Sequence, residues 1–177
     1  MLVFFAACNL GYAQTIKVLD NKGTLRNIEQ GIGNLAELYI GSPATPQTLA
    51  GTFSDISFAS SGIVDTSDFS VDGSSITISK SGRYEITYRI STTTTNNEIS
   101  GGEFYLEVGG TEAPGTRAYT YTRNSLVDKN SVAVTKIIVT TAATVIKIKG
   151  RTYASTAAVL SLSMTNNGSS LIVKRIK

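Results

Sequence analysis

Three aspartates close together, Asp65, Asp68 and Asp72, are the first side chains whose type suggests a task, because clustered carboxylates hold calcium. Their spacing is not the alternating D-x-D-x-D-G of a loop that wraps one ion, so the sequence favours a solvated loop beside a strand and leaves a calcium ion as the alternative. Glu103 and Glu107 share one face if their segment is a strand. At about 3.3 Å per residue they then stand roughly 13 Å apart, beyond the roughly 5–9.5 Å of paired glycosidase carboxylates, and they read as outward solubilising charges. Lys147, Lys149 and Arg151 form a basic stripe near Tyr153, and Lys174, Arg175 and Lys177 close the chain. Such a stripe binds phosphates when aromatic rings interleave it. No ladder of rings does so here, and lysines on edge strands commonly guard against sheet-to-sheet association. No nucleic acid is expected as a partner. Gly31-Ile32-Gly33-Asn34-Leu35-Ala36 spells a dinucleotide fingerprint. That motif needs a helix to follow, and Gly41 and Pro43 end any helix almost at once, leaving room for one short helical turn over 29–38.

What is missing narrows the chemistry further. The chain has no histidine and no tryptophan, and Cys8 is its one cysteine. An intramolecular disulfide, a histidine or multi-cysteine metal site and any histidine-dependent triad are therefore impossible. No acid, base and nucleophile converge in the sequence, so the chain reads as a non-enzyme without cofactor. The net charge of +3 is too small and dispersed to define a polyanion partner.

The elements that position these residues are strands. In Gly82-Arg83-Tyr84-Glu85-Ile86-Thr87-Tyr88-Arg89-Ile90, Tyr84, Ile86, Tyr88 and Ile90 fall on one face, while Arg83, Glu85, Thr87 and Arg89 fall on the other. Period two marks a half-buried strand. Ile76–Ile78 precedes it across the turn Ser79-Lys80-Ser81. Further strand candidates are Leu49–Phe58, Phe69–Val71, Phe104–Val108, Ala118–Thr122, Val132–Val139, Thr144–Lys149, Val159–Met164 and Leu171–Ile176, with polar turns between them. Asn166-Asn167-Gly168 predicts a hairpin joining the last two. Charged residues make up 16% of the chain, and serine and threonine about a quarter, as befits strands whose outer faces carry hydroxyls. Many short strands and no helical period predict an all-β antiparallel sandwich.

Pro43 and Pro46 mark a boundary, which divides the chain into an N-terminal attachment segment, 1–45, and a knob, 46–177. Within the segment, Ile16 to Ile28 reads as a hairpin around Asp20-Asn21-Lys22-Gly23. Residues 1–13 read as a clipped secretory leader or as a retained apolar anchor, and the anchor reading makes Phe4 and Phe5 the contacts to a partner.

From about residue 45 onwards the chain resembles the trimeric jelly-roll heads of the complement-component-1q/tumour-necrosis-factor superfamily, in their bacterial and bacteriophage form. The resemblance is carried by Ile76-Thr77-Ile78 followed by Gly82-Arg83-Tyr84-Glu85-Ile86-Thr87-Tyr88, by Phe104-Tyr105-Leu106-Glu107-Val108-Gly109-Gly110, by the pair Val132–Val139 and Val145–Ile148, and by the closing strands. Ala143-Thr144 stands where relatives often have Gly-Asp, and no collagen-like stalk precedes the head. The resemblance implies a homotrimer displayed on a surface. It would be a virion spike, head fibre or decoration protein of a bacteriophage that docks on other virion proteins through its N-terminal segment and meets a host glycan or receptor. The alternative is a secreted or cell-surface bacterial binding protein. A carbohydrate-binding or enzymatic sandwich is the third class. Tyr119, Tyr121 and Tyr153 look surplus to a single core and are the expected trimer-interface residues.

Overall fold

The computed structural model describes residues 14–19, 25–30, 34–41, 47–94, 99–123, 128–141, 143–155, 162–165 and 167–176. Two units are defined, 1–34 and 35–177. In the first, β1 (Gln14–Leu19) and β2 (Leu25–Gln30) pair antiparallel with Ile16 opposite Ile28, the hairpin that the sequence predicts. Phe4 and Phe5 lie outside the described residues.

The second unit is built around the predicted organising strand, β8 (Gly82–Thr94). Tyr84, Ile86, Tyr88 and Ile90 are fully buried, while Arg83 and Arg89 reach solvent, so the phase read from the sequence is the phase in the structure. Both buried tyrosines find acceptors for their hydroxyls. Tyr84 donates to the Lys80 carbonyl at 2.6 Å and Tyr88 to the Thr116 carbonyl at 2.5 Å, which removes the penalty of a buried, unpaired phenol.

The other strands are β3 (Leu35–Ile40), β4 (Ser54–Asp55), β5 (Ala59–Val64), β6 (Phe69–Val71), β7 (Ser75–Ile78), β9 (Ser100–Val108), β10 (Thr111–Glu112), β11 (Ala118–Thr122), β12 (Lys129–Thr140), β13 (Thr144–Ser155), β14 (Leu162–Met164) and β15 (Ser170–Ile176). They make two antiparallel sheets. One runs β12-β8-β15-β3-β5, with β14 also beside β8. The other runs β10-β9-β13-β7-β6, with β11 beside β9 and β4 beside β13. Inward residues of both sheets, among them Phe69, Ile76, Phe104, Ile146, Ile148, Leu171 and Val173, form one continuous core with Phe58 from the segment between β4 and β5. No helix occurs among the described residues.

Four expectations change. Among the described residues of the segment 29–38, 29–30 belong to β2 and 35–38 to β3 with no helical turn, because Ala36, Leu38 and Ile40 alternate into the core. Since β3 pairs with β15 and β5, the knob begins at Leu35, and the expected division between 45 and 46 moves eleven residues earlier. The turn Ser79-Lys80-Ser81 is a corner between sheets, β7 and β8 lying on opposite layers. Alternation alone does not separate a corner from a hairpin, because inward residues face the same core in either arrangement. Finally, Asn167-Gly168 closes no hairpin. β14 pairs with Thr92–Thr94 and β15 with Arg83–Arg89, both along one side of β8, so they form one interrupted strand. The ladder breaks between Met164, opposite Thr92, and Ser170, opposite Arg89. Asn167 has φ of 56°, and a Cβ on Gly168 would meet the Ser91 Cβ at 2.6 Å.

Candidate functional site

Outward residues of β4, β9, β11 and β13 converge on the solvent face of the seven-stranded sheet. Tyr119 and Tyr121 alternate outward on β11, opposite Glu103 and Gly101 of β9. On the far side of β9, Arg151 stands opposite Glu103 and Tyr153 opposite Gly101. Gly101 makes that arrangement possible, because a Cβ there would sit 2.8 Å from the Tyr153 ring. Without one, Tyr153 lies across β9 and meets Tyr119 edge to face, ring centres 5.4 Å apart. Phe53 and Tyr105 form a second edge-on pair at 4.8 Å, and the Arg151 and Arg117 guanidinium groups lie 4.5 and 5.5 Å from the Phe53 ring centre. Arg123 covers Tyr121 at 5.6 Å.

Glu103 ties this face together. It is 4% exposed, so the expectation that it is an outward solubilising charge is corrected. Arg151 binds one carboxylate oxygen at 2.7 Å and Arg117 the other, while Arg117 also forks onto Glu112 at 2.6 and 2.7 Å. Burial alone would push the Glu103 carboxyl up. The hydrogen bonds and charges of Arg151 and Arg117 outweigh it and hold the group below its ordinary range. Glu107 lies 3.7 Å from Lys149. The basic stripe is likewise neutralised within its own sheet, with Lys147 2.7 Å from Asp55 and Lys149 on the other oxygen of the same carboxylate. Burial raises the Asp55 carboxyl, and the two lysines lower it by more.

The three aspartates serve three separate purposes. Asp65 accepts the Ser67 N–H at 3.0 Å. Asp68 is fully buried and pairs with Lys80 at 2.5 Å and Arg175 at 3.1 Å, which ties β15 to the corner after β7. Asp72 accepts the Ser74 and Ser75 N–H groups at 3.0 and 2.7 Å, and those bonds lower its carboxyl. No group of three metal-ligating side chains is arranged around an ion among the described residues.

From the sequence, Tyr119, Tyr121 and Tyr153 are expected at a trimer interface; the structure gathers the three rings on one face of the seven-stranded sheet. Tyr119 and Tyr121 are 52% and 44% exposed. Phe53, Tyr105, Arg117 and Gly101 were missed. A signal for them existed in Gly101-Gly102 ahead of Glu103, where two residues without side chains leave a strand open to rings from its neighbours.

A second feature lies at one end of the core. There Thr92, Thr94, Ser100, Thr120, Thr122 and Thr152 replace the aliphatic lining. Thr92 donates to Thr120 across the sheets at 2.9 Å, whereas the Ser100 and Thr152 hydroxyls are buried without a hydrogen-bond partner.

No family model matches this sequence, and no curated protein does. Solved structures match in shape. Murine APRIL at pH 5.0 aligns over 81% of this chain and 99% of its own with TM-score 0.53 and 12% identity. Eiger TNF from S. frugiperda aligns over 83% and 94% with TM-score 0.54 and 10% identity. The fold is therefore a TNF-like β-sandwich of the jelly-roll type, as the sequence resemblance implies.

Proposed function

We propose that the chain is a non-enzymatic homotrimeric jelly-roll knob displayed on a surface, as a bacteriophage spike, head fibre or decoration protein. The observation that carries self-association is β12. It is a 12-residue edge strand with two lysines and no carboxylate, and it leaves Ile137 and Val139 54% and 78% exposed. A long, weakly charged edge with apolar side chains is a template for association unless a partner covers it. We assign the contact between copies to this edge and the adjoining face of the six-stranded sheet, leaving the tyrosine face of the other sheet free. A binding or structural role is supported by a fold like that of Eiger TNF and by charged groups that are paired with one another instead of poised for proton transfer. The bacteriophage setting is supported by the resemblance of residues 76–88 and 104–110 to the heads found there.

Light scattering on the native chain tests the assembly. A trimer is expected, and Val139→Asp with Ile137→Asp is expected to give a folded monomer. A wild-type monomer at micromolar concentration overturns the reading. Mass spectrometry of purified virions tests the setting, and recovery only from culture fluid, beginning at Gln14, would overturn it.

A further inference from the structure

We propose that the solvent face of the seven-stranded sheet is a binding site for a neutral oligosaccharide, seated on Tyr119, Tyr121 and Tyr153. Tyr119 and Tyr121 stand two positions apart on β11, so both rings leave the same face. Tyr153 joins them across the bare backbone of Gly101, packed edge-on against Tyr119. Three phenols thus share one patch, each with an apolar ring and a polar tip. Tyrosine gives such contact area at low cost in conformational entropy.

The charges beside the rings select among ligands. Arg117 and Arg151 are engaged by Glu103, Lys147 and Lys149 by Asp55, and Arg123 lies over the Tyr121 ring at 5.6 Å. A polyanion gains affinity from cations that replace its counterions, and four of these five cations already hold carboxylates. A protein partner would lay an apolar interface centre over the same ion pairs, and stripping them of water is costly. A sugar ring suits both features. Its C–H face covers a phenol ring, while its hydroxyls donate to carboxylate oxygens and accept from guanidinium N–H groups, so no ion pair has to break. Arg117 and Arg151 are held in place by Glu103 and Glu112 before a ligand arrives, which lowers the cost of ordering them on binding. The inference rests on the reading of the chain as a binding knob. It does not rest on the trimer, and the two are measured separately.

The test applies the full-length chain to an array of neutral oligosaccharides beside their sialylated and sulfated counterparts, together with the double variant Tyr119→Ala, Tyr121→Ala. Retention of at least one neutral oligosaccharide is expected. The double variant should lose about tenfold or more in affinity for it, as truncation of aromatic anchors does, with melting temperature and oligomeric state unchanged. Should that variant melt early, Tyr121→Ala alone is expected to show the same loss. The monomeric Val139→Asp, Ile137→Asp chain should keep its affinity for the free oligosaccharide in solution and lose only the avidity gained on the array. The proposal is overturned by retention of acidic glycans alone, by equal retention in the tyrosine variants, or by no retention of any neutral oligosaccharide. Capture of a protein through the same tyrosines, with no glycan bound, overturns it as well.

Discussion

Glu103 shows how a single residue can be misjudged from sequence. Alternation puts it correctly on the outward face of β9, but whether outward means exposed depends on what the neighbouring strands lay over it. Here Arg117 and Arg151 close over it from two sides, and those contacts come from 14 and 48 residues away along the chain. A group whose carboxyl is held low in the folded state stabilises the fold fully above its ordinary value of 4.5, and that contribution is lost as pH falls through the lower folded value. The stability of the wild type should therefore decline from about pH 4.5 downwards, and Glu103→Gln should flatten that part of the profile in urea melts at stepped pH. Glu103→Gln also loses charge-assisted hydrogen bonds to two arginines that are themselves partly exposed, so it should cost about 1–2 kcal/mol at pH 7. A variant as stable as wild type at pH 7 would reduce Glu103 to a surface charge. The phase of β8 is checked the same way. Tyr84→Ala is expected to cost about 3–5 kcal/mol, and Thr87→Ala, whose hydroxyl meets Thr135 at an exposed 2.9 Å contact, under about 0.5 kcal/mol.

At the scale of elements, the strands with strong alternation were legible and their partners were not. Ala118–Thr122 and Phe69–Val71 have the bounds read from the sequence, because alternation is local. β3 and β5 were missed. β3 was masked by the glycines before it, and β5, Ala-Ser-Ser-Gly-Ile-Val, is too short of apolar residues to stand out. The Asn-Asn-Gly cluster misled for a related reason. Left-handed backbone is common to tight turns and to breaks within a strand, and only pairing along β8 decides between them. The break in the strand depends on Ser169, which is buried and accepts the Ser91 N–H at 2.9 Å through its hydroxyl. Ser169→Ala leaves that buried donor unpaired and should cost about 1–3 kcal/mol in a thermal or urea melt. An unchanged melt would mean that Ser91 finds another acceptor. Gly168→Ala should be worse still, since its methyl meets both Ser91 and the Thr165 hydroxyl at 2.6 Å.

At the scale of the whole molecule, the sequence separates a regular knob from a less regular start, and the structure changes where the division falls. The proline-marked stretch near residue 45 looks like a linker, yet β3 lies before it and is wedged between β15 and β5. Ala36, Leu38 and Ile40 are all in the core. Truncating a buried Leu or Ile costs about 2–5 kcal/mol, against a total of about 5–15 kcal/mol for a domain. Deleting the strand takes both side chains away together and also bares the ladder edges of β15 and β5. A chain beginning at Ala44 should therefore be unfolded or aggregated. One beginning at Asn34 keeps every strand of both sheets and should melt cooperatively close to the full-length temperature. β1 and β2 pair only with each other among the described strands, so losing them removes no ladder from the knob. If attachment resides in the N-terminal unit, residues 1–34, as the sequence leads one to expect of its N-terminal segment, the Asn34 chain should also form the full-length oligomer in light scattering while failing to rebind particles stripped of the protein. Cooperative melting of the Ala44 chain would show that β3 is dispensable. Rebinding by the Asn34 chain at the full-length level would move attachment into the knob itself.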